Sequence, residues 1–176
     1  MQALLRLARG VDRVHTVLGH GVRWLILAMV GIGAFNAVAR YAGRYVGVNL
    51  SSNALLEAQW YLFAAVFLLA APYALVADRH VRVDVLYGRL SPRSRARIDL
   101  VGTLLFLLPF CGFGVWVSLS SVANSWAILE QSPDPGGLPR FPVKTLLPVS
   151  LGLLGLAGLA RIPALLITAW APGEEG

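Results

Sequence analysis

Charge is what this sequence has least of. Asp, Glu, Lys and Arg make up 14% of the 176 residues, where an ordinary globular chain carries about 25%. With 57% hydrophobic residues and 18 glycines besides, the polar side chains are too few to cover one small soluble core. Cysteine is limited to Cys111, which excludes a secreted disulfide framework. Histidine occurs at 15, 20 and 80, with no pair at zinc spacing and none placed to face another across a bundle around haem. Gly31-x-Gly33 lacks the third glycine of a dinucleotide fingerprint, and no serine sits in a nucleophile elbow. The sequence therefore predicts no catalytic residue, no cofactor and no metal. The class that remains is an integral membrane protein.

What is present is a series of uncharged stretches bounded by charges. They hold 16 residues between Arg23 and Arg40, 20 between Glu57 and Asp78, 30 between Asp99 and Glu130, and 16 between Lys144 and Arg161. A spanning helix needs roughly 20 mainly apolar residues, and long basic side chains at the ends of the shorter stretches can snorkel to the interface. The pattern predicts an all-α integral membrane fold with four transmembrane helices in a single membrane domain over 1–176. The spans fall near 20–41, 55–77, 98–122 and 144–170. Eleven Arg flank one side (6, 9, 13, 23, 79, 82, 89, 93, 95, 97 and 161), against Arg40, Arg44, Arg140 and Lys144 on the other. The positive-inside rule then puts both termini and the 78–97 loop in the cytoplasm, and loops 42–54 and 123–143 outside.

The basic balance of +6 does not point to nucleic acid. The arginines are scattered between apolar runs, where they meet lipid headgroups, rather than gathered on one face with stacking aromatics. Ala37-Val38-Ala39 after an apolar run resembles a signal-peptide cleavage site, but the 23 residues ahead of that run are long for an n-region. Residues 1–20 instead place Leu4, Leu5, Leu7, Val11, Val14 and Leu18 among arginines at helical spacing. This predicts an amphipathic helix on the inner membrane surface. Ser91-Pro92 reads as an N-cap and first helical residue opening the third helix.

Polar residues in or beside spans are the candidates for function, because hydrocarbon penalises them. Asn53, Glu57 and Trp60 fall at i, i+4 and i+7 on the second helix, and Phe63 and Phe67 extend the stripe. These read as bundle core or as a contact for a partner helix, with a hydrated Glu57 or a proton-coupling Glu57 as the other readings. Ser118, Ser121 and Ser125 share a face of the third helix and read as helix–helix glue. Gly152, Gly155 and Gly158, with Ala70 and Ala74, permit close helix approach. Asp78, Arg79, His80, Arg82 and Asp84 alternate in sign and form a candidate salt-bridge network. The outer loop holds four prolines and two glycines in 132–142, so it is a shaped connection rather than a helix. Its candidate docking residues are Glu130, Asp134, Gly136, Gly137 and Arg140.

Asn53-Ala-Leu-Leu-Glu-Ala-Gln-Trp-Tyr-Leu-Phe and His80-Val-Arg-Val-Asp84 with Leu86-Tyr87 resemble the small permease (DctQ-type) subunit of tripartite ATP-independent periplasmic (TRAP) transporters. The likeness continues through Ile98-Asp99-Leu100, Leu107-Leu108-Pro109-Phe110, Glu130-Gln131-Ser132, Gly136-Gly137-Leu138-Pro139 and Lys144 to Pro148, from about residue 20 to 170. The resemblance implies a multi-pass protein of the bacterial inner membrane that pairs with a large DctM-type permease subunit. It also implies a periplasmic solute-binding protein as partner, uptake of an organic acid or related solute by secondary active transport, and a static scaffolding role for this chain. By the same resemblance Glu57, Gln59 and Trp60 support the core or the large-subunit interface, and His80–Asp84 fix the cytoplasmic interface. The Glu130–Arg140 loop faces the binding protein. The competing expectation is a free-standing four-helix protein, such as a proton-coupled exporter or an assembly factor. An intramembrane enzyme built on Asp78, His80 and Asp84 is a third.

Overall fold

Hydrocarbon cannot solvate a peptide group, so a chain this apolar satisfies its backbone within helices. The computed structural model describes residues 2–47, 51–79 and 87–170, and these form four long helices with no strand among them. They are α1 (Gln2–Val46), α2 (Asn53–Val76), α3 (Pro92–Ala127) and α4 (Phe141–Trp170). All four are long and apolar enough to cross a membrane. The segment expected as a surface helix is helical, and it runs on into the first span as one 45-residue rod. At 1.5 Å per residue that rod is about 68 Å long, against roughly 30 Å of hydrocarbon.

α4 is the hub. It packs against α3, α2 and α1, while α1 lies along α2. Small residues set the approaches. The Tyr73 ring lies flat on bare Gly19, where a Cβ would fall 2.4 Å from it, and Gln59 lies on Gly33 in the same way at 2.3 Å. Leu107 packs on Gly158 and Cys111 on Gly155 at the α3–α4 contact. Very few side chains are buried by this arrangement, and large apolar groups of every helix face outward, among them Trp24, Phe67, Phe106, Trp116 and Trp170. With lipid as solvent, that exposure carries no penalty.

Prolines interrupt three of the helices, and those in α2 and α3 are each answered by a visible adjustment. Pro72 in α2 has no N–H for the carbonyl of Leu68, four residues back. The Ser150 hydroxyl of α4 donates to that carbonyl at 2.7 Å. Pro109 deprives the Leu105 carbonyl in the same way, and the preceding turn, Thr103–Leu107, widens to a π-helical turn. Ser91 caps α3, accepting from the Ser94 N–H at 3.2 Å with Pro92 as the first helical residue, as the dipeptide predicted.

The C-terminus of α2 closes with a left-handed residue, Asp78 at φ 53. The Arg79 N–H reaches back to the Ala74 carbonyl at 2.9 Å, and the Asp78 N–H to that of Leu75 at 3.2 Å, the paired bonds of a Schellman motif. Arg161 of α4 then donates to the Leu75 carbonyl at 3.2 Å and to the Asp78 carboxylate at 3.2 Å. A guanidinium there adds a charged donor to a C-terminal carbonyl and faces the negative end of the helix dipole. His15, 1% exposed, bridges α1 to α4: Nδ1 lies 2.7 Å from the Val11 carbonyl and Nε2 3.0 Å from that of Leu153.

The Ser150–Leu68 bond yields a double-variant test. Ser150→Ala strands the Leu68 carbonyl and should cost about 0.6–2 kcal/mol. With Pro72→Ala restoring a backbone N–H, the same serine change should cost almost nothing. Thermal unfolding of the four proteins in one detergent measures this coupling, and equal losses on both backgrounds would contradict the assignment.

Candidate functional site

At the end of the bundle where α2 begins, the α3–α4 loop folds back over the helices. α3 ends in a second Schellman motif, the Glu130 N–H donating to the Ser125 carbonyl at 3.0 Å and the Leu129 N–H to that of Trp126 at 3.2 Å. Here the left-handed position is held by Leu129, at φ 46. A leucine pays strain there that glycine would avoid, and flanking contacts hold it in place. The Asp134-Pro135-Gly136-Gly137 turn follows, closed by the Gly137 N–H to the Asp134 carbonyl at 3.0 Å, with Gly136 at φ 70. Proline then a left-handed glycine is the sequence of a type II turn.

Two carboxylates clamp this loop to the helices. Glu57 of α2 is 3% exposed and accepts the Ser132 hydroxyl on one oxygen and the Leu138 N–H on the other. Gly137 leaves room for it: a Cβ there would fall 2.7 Å from the Glu57 carboxylate and 2.5 Å from Ser132. Asn53, one turn earlier, donates to the Pro135 carbonyl at 3.0 Å. Tyr61, one turn later, points its hydroxyl at the Leu138 and Pro139 carbonyls, each at 3.2 Å.

Glu130 is the second clamp. It takes the Ser125 hydroxyl at 2.6 Å and the ammonium of Lys144, tying the loop to the start of α4. The Lys144 ammonium, and after it the Ser125 hydroxyl, hold the Glu130 carboxyl below its ordinary value near 4.5. Arg140 lies within electrostatic reach of both carboxylates, its backbone N–H donating to the Glu130 carbonyl at 2.8 Å. The Trp126 indole adds a bond to Thr145 at 2.8 Å and an edge contact with Phe141. Chemically this is a clasp, in which both carboxylates are engaged by donors of the same chain.

The candidate residues thus separate. Asn53 and Glu57 meet Gly136, Gly137 and the Asp134 turn; Glu130 and Arg140 join them from the far end of the loop, while the Asp134 side chain is exposed at the tip. Gln59 turns the other way, onto α1. Trp60, Phe63 and Phe67 face outward, 45%, 59% and 67% exposed. On α3, Ser118 and Ser125 are buried but Ser121 is exposed. Ser118 donates to its own helix at the Val115 carbonyl, 3.0 Å away, so it is Ser150, absent from the sequence candidates, that bonds across helices.

At the opposite end Asp78 meets Arg161, while the Arg79 side chain is exposed. His80, Arg82 and Asp84 lie outside the described residues. Past them, Arg95 gathers the turn, donating to the Gly88 and Leu90 carbonyls at 2.7 and 2.9 Å and lying over the Tyr87 ring. Tyr87 donates to Asp99 at 2.9 Å. Among the described residues no cluster of His, Cys, Asp and Glu could hold a metal ion.

Sequence reasoning missed Tyr61, Ser132 and Lys144, and it read Ser125 as helix–helix glue where the hydroxyl instead serves Glu130. The available signal was Glu57 itself, since a carboxylate just inside an apolar helix requires donors. A Ser followed by Pro-Asp-Pro-Gly-Gly offers one on a tight turn.

The family described as tripartite ATP-independent periplasmic transporters, DctQ component, matches residues 29–167. An isethionate TRAP transporter permease protein, DctMQ, of Oleidesulfovibrio alaskensis is 28% identical over 144 residues, covering 78% of this chain and 22% of that protein. The chain therefore spans about a fifth of the length of the relative it matches. No solved structure matches.

Two outcomes test the clasp. Glu57→Leu leaves the Leu138 N–H and Ser132 hydroxyl without an acceptor, at a cost of about 1–3 kcal/mol. Limited proteolysis within 128–140 should accelerate roughly 5- to 150-fold if local opening precedes cleavage. The second outcome is pH dependence. Because the folded Glu130 carboxyl is held low, its contribution is complete above the ordinary value near 4.5 and is lost as pH falls through the lower folded value. Loop protection should therefore decline below about pH 4.5. In Lys144→Met the decline should be smaller and complete at higher pH.

Proposed function

The chain belongs to the DctQ component family of the tripartite ATP-independent periplasmic transporters, and from that premise we propose that it is the small membrane subunit of such a transporter, a fixed scaffold for a large DctM-type permease subunit. The observation that carries this reading is the family match over residues 29–167, which takes in part or all of each of the four helices. The relative's printed name, DctMQ, supports the pairing of the two components. In this reading the complex sits in a bacterial inner membrane, receives an organic acid or related solute from a periplasmic binding protein, and moves it by secondary active transport.

The geometry supports a static part. The α2 carboxylate that a proton-coupled exporter would use accepts two hydrogen bonds from its own chain. The two ends of α2 are each pinned, at Glu57 by the loop clasp and at Leu75 and Asp78 by Arg161. The outward stripe Leu56, Trp60, Phe63 and Phe67 is assigned to the large subunit. Flat, rigid aromatics present large contact area there at little entropic cost. The exposed turn at Asp134 and Gly136 is assigned to the binding protein. The arginine count supports cytoplasmic termini and an outward α3–α4 loop.

A mild-detergent pull-down of the tagged chain from its native membrane should recover a large polytopic partner. Trp60→Ser with Phe67→Ser should reduce that recovery at least several-fold, while Phe106→Ser on α3 should leave it unchanged. Recovery of the chain alone would overturn the scaffold reading. A reporter fused after Gly176 should report the cytoplasm.

A further inference from the structure

Near the end of α1 that joins α2, the two helices enclose a pocket of about 430 Å³ lined by Gly33, Asn36, Arg40, Arg44, Leu56 and Gln59, with Ala37 and Tyr41 at its edge. We propose that this pocket binds the phosphodiester headgroup of a membrane phospholipid whose head alcohol carries a donor, ethanolamine or glycerol.

Asn36 supplies the first argument. It is 3% exposed, and its Oδ1 has no hydrogen-bond partner. A buried amide oxygen beside hydrocarbon is costly unless a donor reaches it, and the pocket is the space from which one can come. Gln59 lines the same space, its carboxamide lying over bare Gly33. The second argument is charge. Arg40 and Arg44 are one helical turn apart on the pocket side of α1, and no acidic residue lines the cavity. The nearby carboxylate, Glu57, is engaged by Ser132 and Leu138. Two guanidiniums with no carboxylate between them call for an anion, and their planar forks suit phosphate oxygens.

The third argument decides the source of that phosphate. Phe35 and Val38, within the same turns, are 61% and 66% exposed, so an apolar surface for acyl chains begins where the polar pocket ends. Tyr41 and Tyr45, 65% and 92% exposed, stand beyond Asn36 toward the end of α1, as aromatic side chains do at the headgroup level. Arg44 lies 5.7 Å from the Tyr41 ring centroid, which holds a cation at the pocket mouth. The arginines take the phosphate, Asn36 Oδ1 takes the ammonium or hydroxyl of the head alcohol, and the tails lie along α1.

The test uses the full-length chain, purified in mild detergent with whatever membrane partner it carries and examined by native mass spectrometry. The probes are phosphatidylethanolamine, phosphatidylglycerol, diacylglycerol and inorganic phosphate. The wild type should retain one phospholipid that diacylglycerol does not replace and that millimolar phosphate does not displace. Arg40→Gln with Arg44→Gln should weaken retention by roughly 10-fold or more, and Asn36→Leu should weaken it while both arginines remain. The double arginine variant alters exposed side chains, so its lipid loss is separable from misfolding by unchanged helical circular dichroism and an unchanged elution profile. Equal retention in wild type and variants would overturn the proposal, as would displacement by inorganic phosphate. Photo-crosslinking from position 37 should capture lipid, and capture of a polypeptide instead would assign the pocket to a protein partner and overturn it too.

Discussion

The Ser150 hydroxyl reaching the Leu68 carbonyl shows the constraint on which the rest of this structure depends. In water the carbonyl bared by Pro72 would take a solvent molecule. In hydrocarbon it must take a neighbour, and here the neighbour comes from another helix at a fixed height. That one bond sets the register of α4 against α2. Once α4 is so placed, Arg161 arrives at the C-terminal carbonyls of α2, and Leu153 presents its carbonyl to His15 of α1. The hub position of α4 follows from the polar groups it must serve. Its apolar residues could be solvated as well by lipid as by another helix.

The loop clasp extends the same logic to the bundle end. Glu57 is a charge at the start of a spanning helix, and its two oxygens fold the α3–α4 loop back to supply donors. Glu130 repeats this at the far side with Ser125 and Lys144. Arg140 between them offsets the proximity of two negative groups. Removing either carboxylate would leave its donors orphaned, and removing the loop would leave the carboxylates orphaned. The helices and the loop are therefore mutually required, although few apolar side chains are buried between them. This explains how leucine is held in the left-handed position at residue 129: the bonds on either side fix the backbone before the side chain has a choice.

The sequence made the four helices legible because exclusion of charge from hydrocarbon is a one-dimensional rule, read directly along the chain. The cap at Ser91-Pro92 was legible because capping is local. The clasp was half legible: Glu57, Asn53, Gly137 and Glu130 stood out as anomalies, but their partners did not. Ser132 and Lys144 are unremarkable in isolation, and their importance comes from lying across space from a carboxylate. The helical wheel failed for Ser121 in a specific way. Ser118 and Ser125 are seven residues apart and stay on the α4 side, while Ser121, three residues beyond Ser118, is carried round to the exposed side. The long uninterrupted α1 was hidden because composition changes at Arg23 while helix propensity does not. Ser150 was invisible for a different reason, since its role is defined by a proline on another helix.

The scaffold role proposed for this chain would call for internal stiffness more than for a large core, and these polar crosslinks provide stiffness where apolar packing cannot. Between helices in lipid, apolar side chains exchange one hydrocarbon neighbour for another, so packing alone leaves rotation and sliding cheap. A hydrogen bond with no solvent substitute forbids both. The chain places such bonds at three levels of the bundle: the clasp at one end, Ser150 with Leu68 midway along α2, and Arg161 with Leu75 and Asp78 at the other end. α2 is thereby held to α4 and its loop along its length, while the opposite side of α2 carries the exposed aromatic stripe. A surface mounted on a helix pinned at both ends and between is suited to the moving partner proposed above, because force applied to it is passed to the rest of the frame.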